Sequence, residues 1–122
     1  MPDIGPDAAS LRCLMYSSSV PWKVLSSNVA LSVLSEGWCL DQISPDEAEV
    51  RSFTVEIFFD SPFFAVPVVQ LGLTGFDIDQ RDSARLTLKT GLITESGFQA
   101  IITTWANTRV YAAEFNWLAV GP

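Results

Sequence analysis

Histidine is absent from this chain, and its absence excludes several kinds of catalytic and metal site. A Ser-His-Asp triad, a histidine-coordinated metal and acid–base chemistry by imidazole all need that side chain. Two cysteines, Cys13 and Cys39, are too few for the usual four-ligand zinc site. The sequence leaves open whether they form a disulfide or stay as two buried thiols. We therefore expect neither a metal nor a cofactor.

Basic residues are scarce as well, since seven Lys and Arg stand against fourteen Asp and Glu and the formal net charge is −7. They form no cluster, whereas nucleic acids and anionic membrane surfaces are bound by clustered Lys and Arg. Long apolar runs are missing too, because Pro21, Lys23 and several serines interrupt the stretch from Val20 to Leu34. The sequence thus predicts no nucleic-acid partner and no membrane insertion.

Apolar residues are nevertheless abundant, at 48% of 122 residues, and this is enough for the core of one domain. The first fifty residues are irregular and contain four prolines and two serine runs. We interpret residues 1–36 as an N-terminal arm, extended over 1–19 apart from a short helical turn near 8–15. One strand is expected within residues 20–38.

From Val50 onward, apolar and polar residues alternate with a period of two, which is typical of β-strands. Five strand segments follow one another at roughly ten-residue spacing, with no helical pattern between them. We place these segments at 53–59, 66–74, 85–89, 98–105 and 111–119, and interpret 75–83 as a polar turn. Pro67 sets the start of the second segment at a sheet edge or bulge. With the strand expected from the N-terminal half, the count becomes six. The prediction is an all-β fold, a six-stranded antiparallel β-sandwich whose main part covers residues 37–122, with an N-terminal arm at 1–36 that contributes one strand.

The most informative stretch runs from residue 97 to residue 119, where aromatic residues flank the short connection at 106–108. Its ordered spacing is that of Arg85, Phe98, Trp105, Tyr111 and Trp117. Together with the strand segments at 53–63 and 67–77, this spacing resembles the H-type lectin family, known from snail agglutinins and the C-terminal domain of discoidins. The resemblance covers about residues 37–121.

The resemblance implies a trimer of six-stranded sandwiches that binds galactose-type sugars, particularly N-acetylgalactosamine, near the contact between neighbouring protomers. It implies sugar-contacting roles for Arg85, Trp105 and Tyr111. The family's acidic sugar ligand corresponds to the loop at 40–50, where we choose Asp46. Asn107, in the short connection, completes the expected sugar-binding set. Its neighbour Ala106 departs from the family, because snail members carry a histidine there.

Each of these residues also has a structural interpretation. A pyranose offers an apolar face to an aromatic ring and a polar rim to an Arg fork or a carboxylate. Trp105 would serve as that ring, or it would simply close the end of the sandwich. Arg85 is equally typical of a solvated surface arginine, and Tyr111 fits the core as well as a site. Phe98 and Trp117 are assigned to the core.

Two other functions, calcium binding and catalysis, have weaker support in the sequence. Carboxylates alternate over residues 77–82, as in a calcium loop, but the turn glycine and the following glutamate are missing, so a solvated turn is favoured. No nucleophile stands beside a base. The carboxylates are scattered and their mutual distances cannot be read from the sequence, so a glycosidase pair stays open as a minor alternative. We expect a binding protein and not an enzyme.

A structural or attachment role is the alternative. A lectin-like sandwich with an N-terminal arm suits a spike, fibre or docking subunit of a larger assembly, such as a phage-like particle or a surface complex. The arm would then be the docking element. The resemblance favours an extracellular or surface location and a role in adhesion, although the opening MPDIGPDAAS lacks the features of a signal peptide.

Overall fold

The computed structural model describes residues 21–43, 49–81 and 83–122. Six strands run through these ranges: β1 (Lys23–Ser32), β2 (Val50–Phe58), β3 (Val68–Ile78), β4 (Thr87–Ile93), β5 (Gly97–Trp105) and β6 (Val110–Gly121). They form two antiparallel three-stranded sheets, in the orders β1-β6-β3 and β2-β5-β4. The predicted all-β, six-stranded antiparallel sandwich is confirmed. None of the described residues belongs to a helix with the length and apolarity needed to cross a membrane.

The core lies between the two sheets and is built on their central strands, β5 and β6. Alternate side chains of a strand point to opposite faces, so one residue in two along each central strand is buried. Phe98 is 2% exposed and Trp117 is 7% exposed, and their ring centroids lie 5.4 Å apart in an edge-to-face arrangement. Their assignment to the core is confirmed.

The strand β3 is longer than the sequence pattern predicts. A strand ending at Thr74, followed by a polar turn over 75–83, is wrong, because β3 continues to Ile78. A register shift between Leu73 and Gly75 interrupts the alternation, and pairing with β6 then resumes. Pro67 directly precedes β3, which is an edge strand of its sheet, so the expected edge position is confirmed.

The strand β1 occupies the other edge of the same sheet. It pairs with β6 along its whole length, from Lys23 opposite Gly121 to Ser32 opposite Ala112. This strand falls within residues 20–38, where one strand was expected. The extended segment 1–19 and the helical turn near 8–15 lie outside the described residues.

The segment from Trp38 to Leu40 closes one end of the sandwich. The indole Nε1 of Trp38 donates to the carbonyl oxygen of Val110 at 2.9 Å, and the Val110 amide donates to the carbonyl oxygen of Leu40 at 2.8 Å. Cys39, between them, is a free thiol whose sulfur lies 3.8 Å from the carbonyl oxygen of Ser52. This segment therefore fixes the start of β6, where the chain emerges from the preceding turn.

Candidate functional site

The turn between β5 and β6, residues 106–109, carries Asn107 and directly follows Trp105, two of the residues singled out by the sequence. Trp105 is the last residue of β5, pairs with Val50 of β2 and is half-buried. Its neighbour Thr104 is fully buried, so the alternation of the strand directs the Trp105 side chain to the outer face of its sheet. The expected position of Trp105 at a strand end beside a short turn is confirmed.

The backbone of this turn is strained at Ala106. Its φ of 58° lies in the left-handed region, which costs a residue with a Cβ roughly 1–2 kcal/mol. The amide of Thr108 donates to the carbonyl oxygen of Trp105 at 3.4 Å, a long hydrogen bond that closes the turn weakly. Other contacts must therefore hold Ala106 in this conformation.

Arg51, at the start of β2, supplies those contacts. Its side chain is 7% exposed and donates to four main-chain carbonyl oxygens. Nη1 reaches Leu40 at 3.1 Å and Gln42 at 2.6 Å, while Nη2 reaches Ala106 at 2.9 Å and Thr108 at 2.8 Å. One guanidinium thus ties the loop after Trp38 to the β5–β6 turn.

Sequence reasoning missed Arg51, although a signal was present. The inward-facing positions of β2 continue from Arg51 through Phe53, Val55 and Ile57, so a single cation stands in an apolar series. A buried charge needs hydrogen-bonding partners, so an arginine at an inward-facing position of the strand indicates a structural role. Its partners lie far along the chain and could not be read from the pattern.

The loop that carries Arg85 is bound to the same turn through two threonines. Thr108 donates from Oγ1 to the carbonyl oxygen of Ser83 at 2.7 Å and accepts from the Arg85 amide at 3.2 Å. Thr104 donates from Oγ1 to the carbonyl oxygen of Arg85 at 2.5 Å. Arg85 therefore precedes β4 instead of lying within a strand, and it stands beside the end of β5.

Asn107 adds an amide to this group. The residue is half-buried, and its Oδ1 is buried without a hydrogen-bond partner among the described residues. An unpaired buried oxygen costs roughly 1–3 kcal/mol, and this cost is one that the turn carries. The turn thus combines an aromatic ring at a strand end, an arginine loop fixed by two threonines, and an amide whose oxygen is unpaired among the described residues.

Tyr111 lies at the start of β6, where the pairing with β3 shifts. Ala112 pairs with Asp77 and Val110 pairs with Ile78, which leaves Tyr111 as the extra residue of a bulge. Tyr111 is half-buried, and its carbonyl oxygen accepts from the Val33 amide at 3.0 Å. The structure therefore brings Arg85, Trp105 and Asn107 to one turn and places Tyr111 at the base of the next strand. Asp46 lies outside the described residues.

The carboxylate segment at 77–81 is engaged by an arginine. Arg81 donates to both oxygens of Asp79, with Nη2 at 2.6 Å from Oδ2, and these hydrogen bonds lower the pKa of Asp79 to about 2. The Asp79 amide donates to the carbonyl oxygen of Arg109 at 3.0 Å. Among the described residues no three potential metal ligands gather, and Asp82 is outside them.

Comparison with known proteins identifies the class. The model of the H-type lectin domain matches residues 54–120, more than half of the chain. The chain belongs to the H-type lectin family. This membership and the β-sandwich support a carbohydrate-binding role and indicate a binding protein over an enzyme.

Particular relatives cover different shares of the chain. A protein of Fuscovulum blasticum, ATP synthase subunits region ORF 7, is 34% identical over 71 residues, and the chain spans 62% of its length. Discoidin II from Dictyostelium discoideum has a TM-score of 0.69 at 24% identity, over 87% of this chain and 39% of that one. The tailspike protein gp49 from Pseudomonas phage LKA1 has a TM-score of 0.55 at 17% identity, over 81% of this chain and 15% of that one. Both structures share the fold.

Proposed function

We propose that this chain binds glycans that end in galactose or N-acetylgalactosamine, through the β5–β6 turn. The observation that carries the proposal is the half-buried Trp105 at the end of β5. Asn107 lies in the turn that follows, and hydrogen bonds with Thr104 and Thr108 hold the backbone of Arg85 beside it. An aromatic ring offers area to the apolar face of a pyranose, while an arginine fork and an amide recognise the hydroxyls around its rim. Recognition residues are commonly placed in this way, on loops held by a rigid scaffold.

Each residue takes a separate part in this proposal. Trp105 stacks on the sugar, Arg85 and Asn107 donate to its hydroxyls, and Tyr111 borders the site at the base of β6. Asp46 supplies the acidic ligand from the preceding loop.

Ala106 brings only a methyl group to the turn. We therefore expect weaker selection of the N-acetyl group than a polar side chain would give there. Titration with galactose and with N-acetylgalactosamine measures this difference, and a strong preference for the N-acetylated sugar would contradict it.

We further propose that the chain acts as a trimer. Val24 and Val68 are exposed and flank Val120 in register across the outer face of the first sheet, so apolar surface is left for another protomer to cover. Joining three weak sites strengthens binding to multivalent glycans far beyond binding to monosaccharides. Light scattering at micromolar concentration measures the mass, and a strict monomer would contradict this part.

Replacement of Trp105 by alanine tests the site. Loss of a stacked ring removes roughly 1–3 kcal/mol, by analogy with bases stacked on aromatic residues. A millimolar sugar affinity corresponds to about −4 kcal/mol, so binding to a polymer that displays N-acetylgalactosamine should be nearly lost. Thermal unfolding of the variant should resemble that of the unaltered protein.

The matched control is Trp22→Ala. Trp22 is exposed and precedes β1, at the end of the sandwich opposite the β5–β6 turn, so its removal should leave glycan binding unchanged. If Trp105→Ala unfolds the protein, Trp105 is structural. If the variant folds and binds glycan normally, the site lies elsewhere.

A second candidate function is attachment within a larger assembly. The fold also forms part of a phage tailspike, and residues 1–22 precede β1, the first strand of the sandwich. We propose that residues 1–19 lie outside the sandwich, so limited proteolysis should remove them and leave a folded core. A chain that aggregates in isolation and binds no glycan on an array would favour this function over the lectin.

A further inference from the structure

We propose that Arg51 is a positioning residue for the glycan site, holding the β5–β6 turn, and through Thr108 the Arg85 loop, in the conformation that binds. The inference rests on the proposed glycan function and adds to it a residue that never touches the sugar. Arg51 is almost fully buried at the start of β2, and all four of its described hydrogen bonds end on main-chain carbonyl oxygens.

The first step of the argument concerns Asn107. Nη2 of Arg51 binds the carbonyl oxygens of Ala106 and Thr108, the residues directly before and after Asn107. One nitrogen therefore holds the Ala106–Asn107 peptide group and the Thr108–Arg109 peptide group, one before and one after Asn107, and keeps Ala106 at its positive φ. The direction of the Asn107 side chain follows from that backbone.

The second step extends the constraint to Arg85. Thr108, whose carbonyl oxygen Arg51 holds, also binds Ser83 and the Arg85 amide through its own hydroxyl. A displacement of Thr108 would therefore move the Arg85 loop with it. Trp105 joins the same unit, because its carbonyl oxygen accepts from the Thr108 amide.

The third step concerns the other loop. Nη1 of Arg51 binds the carbonyl oxygens of Leu40 and Gln42, so the same guanidinium joins the segment after Trp38 to the β5–β6 turn. A planar guanidinium serves two segments at once, since its donors diverge in a rigid fork. A lysine ammonium keeps the charge but is a single nitrogen that cannot span four carbonyl oxygens.

The test compares Arg51→Lys with Lys23→Met. Lys23 is a matched control, because its Nζ also donates to main-chain carbonyl oxygens, those of Ser61 and Pro62, at the opposite end of the sandwich. We expect Arg51→Lys to fold and to bind an N-acetylgalactosamine polymer about tenfold more weakly or worse, a loss of about 1.4 kcal/mol. Lys23→Met should bind the polymer as the unaltered protein does.

Hydrogen exchange supplies a readout that does not need the sugar. In Arg51→Lys, the amides of Thr108 and Val110 should exchange faster while those of Phe63 and Phe64 are unchanged, and Lys23→Met should give the reverse. If Arg51→Lys only lowered the global stability of the fold, all four amides would exchange faster together. That result would overturn the positioning role.

Rescue distinguishes positioning from general stabilisation. Glycine adopts positive φ without strain, so Ala106→Gly should recover affinity in Arg51→Lys and gain little in the unaltered protein. If Arg51→Lys binds the polymer with full affinity, the proposal is overturned. If neither Arg51→Lys nor its double variant with Ala106→Gly folds, Arg51 is a residue of the fold and the proposal also fails.

Failure of the proposed function gives a different result. An unaltered protein that binds no galactose-type polymer would contradict the glycan assignment, whatever the variants do. The exchange rates of Thr108 and Val110 would then still decide whether Arg51 holds the turn. Unchanged exchange in Arg51→Lys would overturn the positioning role independently of the sugar.

Discussion

The two ends of the sandwich are both tied by a cation, but they are built in different ways. At the β5–β6 turn, the buried Arg51 binds carbonyl oxygens from two loops. At the other end, Lys23 is half-buried, binds the single loop at Ser61 and Pro62, and lies 4.6 Å from the centroid of the Phe63 ring. Trp38 packs on Phe53 at the first end, with ring centroids 5.1 Å apart, but the β5–β6 turn itself is held by hydrogen bonds to its backbone. The loop at the second end also packs its own aromatic rings.

Ring packing explains why the loop at the second end depends less on the hydrogen bonds of its cation, Lys23. The centroid of Phe59 lies 5.1 Å from that of Phe63 and 5.7 Å from that of Trp117, so this loop is fixed by burial of its own side chains. The β5–β6 turn differs because Trp105 and Asn107 are only half-buried. A turn that offers its side chains to a ligand cannot also be held by burying them, and Arg51 holds its backbone instead.

The largest expected effect is the loss of Arg51. Arg51→Met would leave four buried or half-buried carbonyl oxygens without their donor, and we expect the free energy of unfolding to fall by about 3–5 kcal/mol. Lys23→Met should cost about 1 kcal/mol, because its partners stay near solvent. Urea unfolding measures both, and equal losses would contradict the contrast between the two ends.

An intermediate effect is expected at the opposite end from the turn. Gly97, at the start of β5, has no room for a side chain, because a Cβ there would overlap the carbonyl oxygen of Ile57. Gly97→Ala should therefore destabilise the fold by about 1–3 kcal/mol, as overpacking does. Glycan binding by the fraction that remains folded should be unchanged, and a specific loss of affinity would mean that the two ends are coupled.

The smallest effect concerns Asp79. Its pKa is lowered from the ordinary 3.8 to about 2, first by the side-chain hydrogen bonds from Arg81, so the ionised form is favoured in the folded state. The resulting stability is present above pH 3.8 and is lost as the pH falls through about 2. Asp79→Asn should remove this pH dependence, and acid unfolding of the two proteins compared between these values measures it. Identical curves would show that the ion pair contributes nothing.

Much of the fold was predictable because a strand with one buried face shows a local alternation of apolar and polar residues. The alternation along β5 and β6 depends only on which face of the sheet each residue occupies, so the assignment of Phe98 and Trp117 to the core followed from the pattern. The end of β3 did not follow, because the bulge at Leu73 and Gly75 breaks the alternation while pairing with β6 continues.

The candidate site, like the fold, was predictable only in the part that depends on local sequence. The spacing of Arg85, Trp105 and Tyr111 indicated the family, which the domain match at residues 54–120 bears out. The sequence could not indicate that Thr108 binds the Arg85 loop, since the hydroxyl and the amide are separated by 23 residues. Roles of these residues in sugar binding stay predictions.

The sequence by itself determined the strand alternation, the family and the absence of histidine chemistry, because each depends on residue identity and local spacing. Only the tertiary structure decided how the site is held together. Arg51 reaches Leu40 across 11 positions and Thr108 across 57, and its partners are carbonyl oxygens that every residue possesses. Because every residue has a main-chain carbonyl oxygen, the residue pattern does not show which of them accept a hydrogen bond. Arg51 finds its acceptors only where folding brings the two loops together.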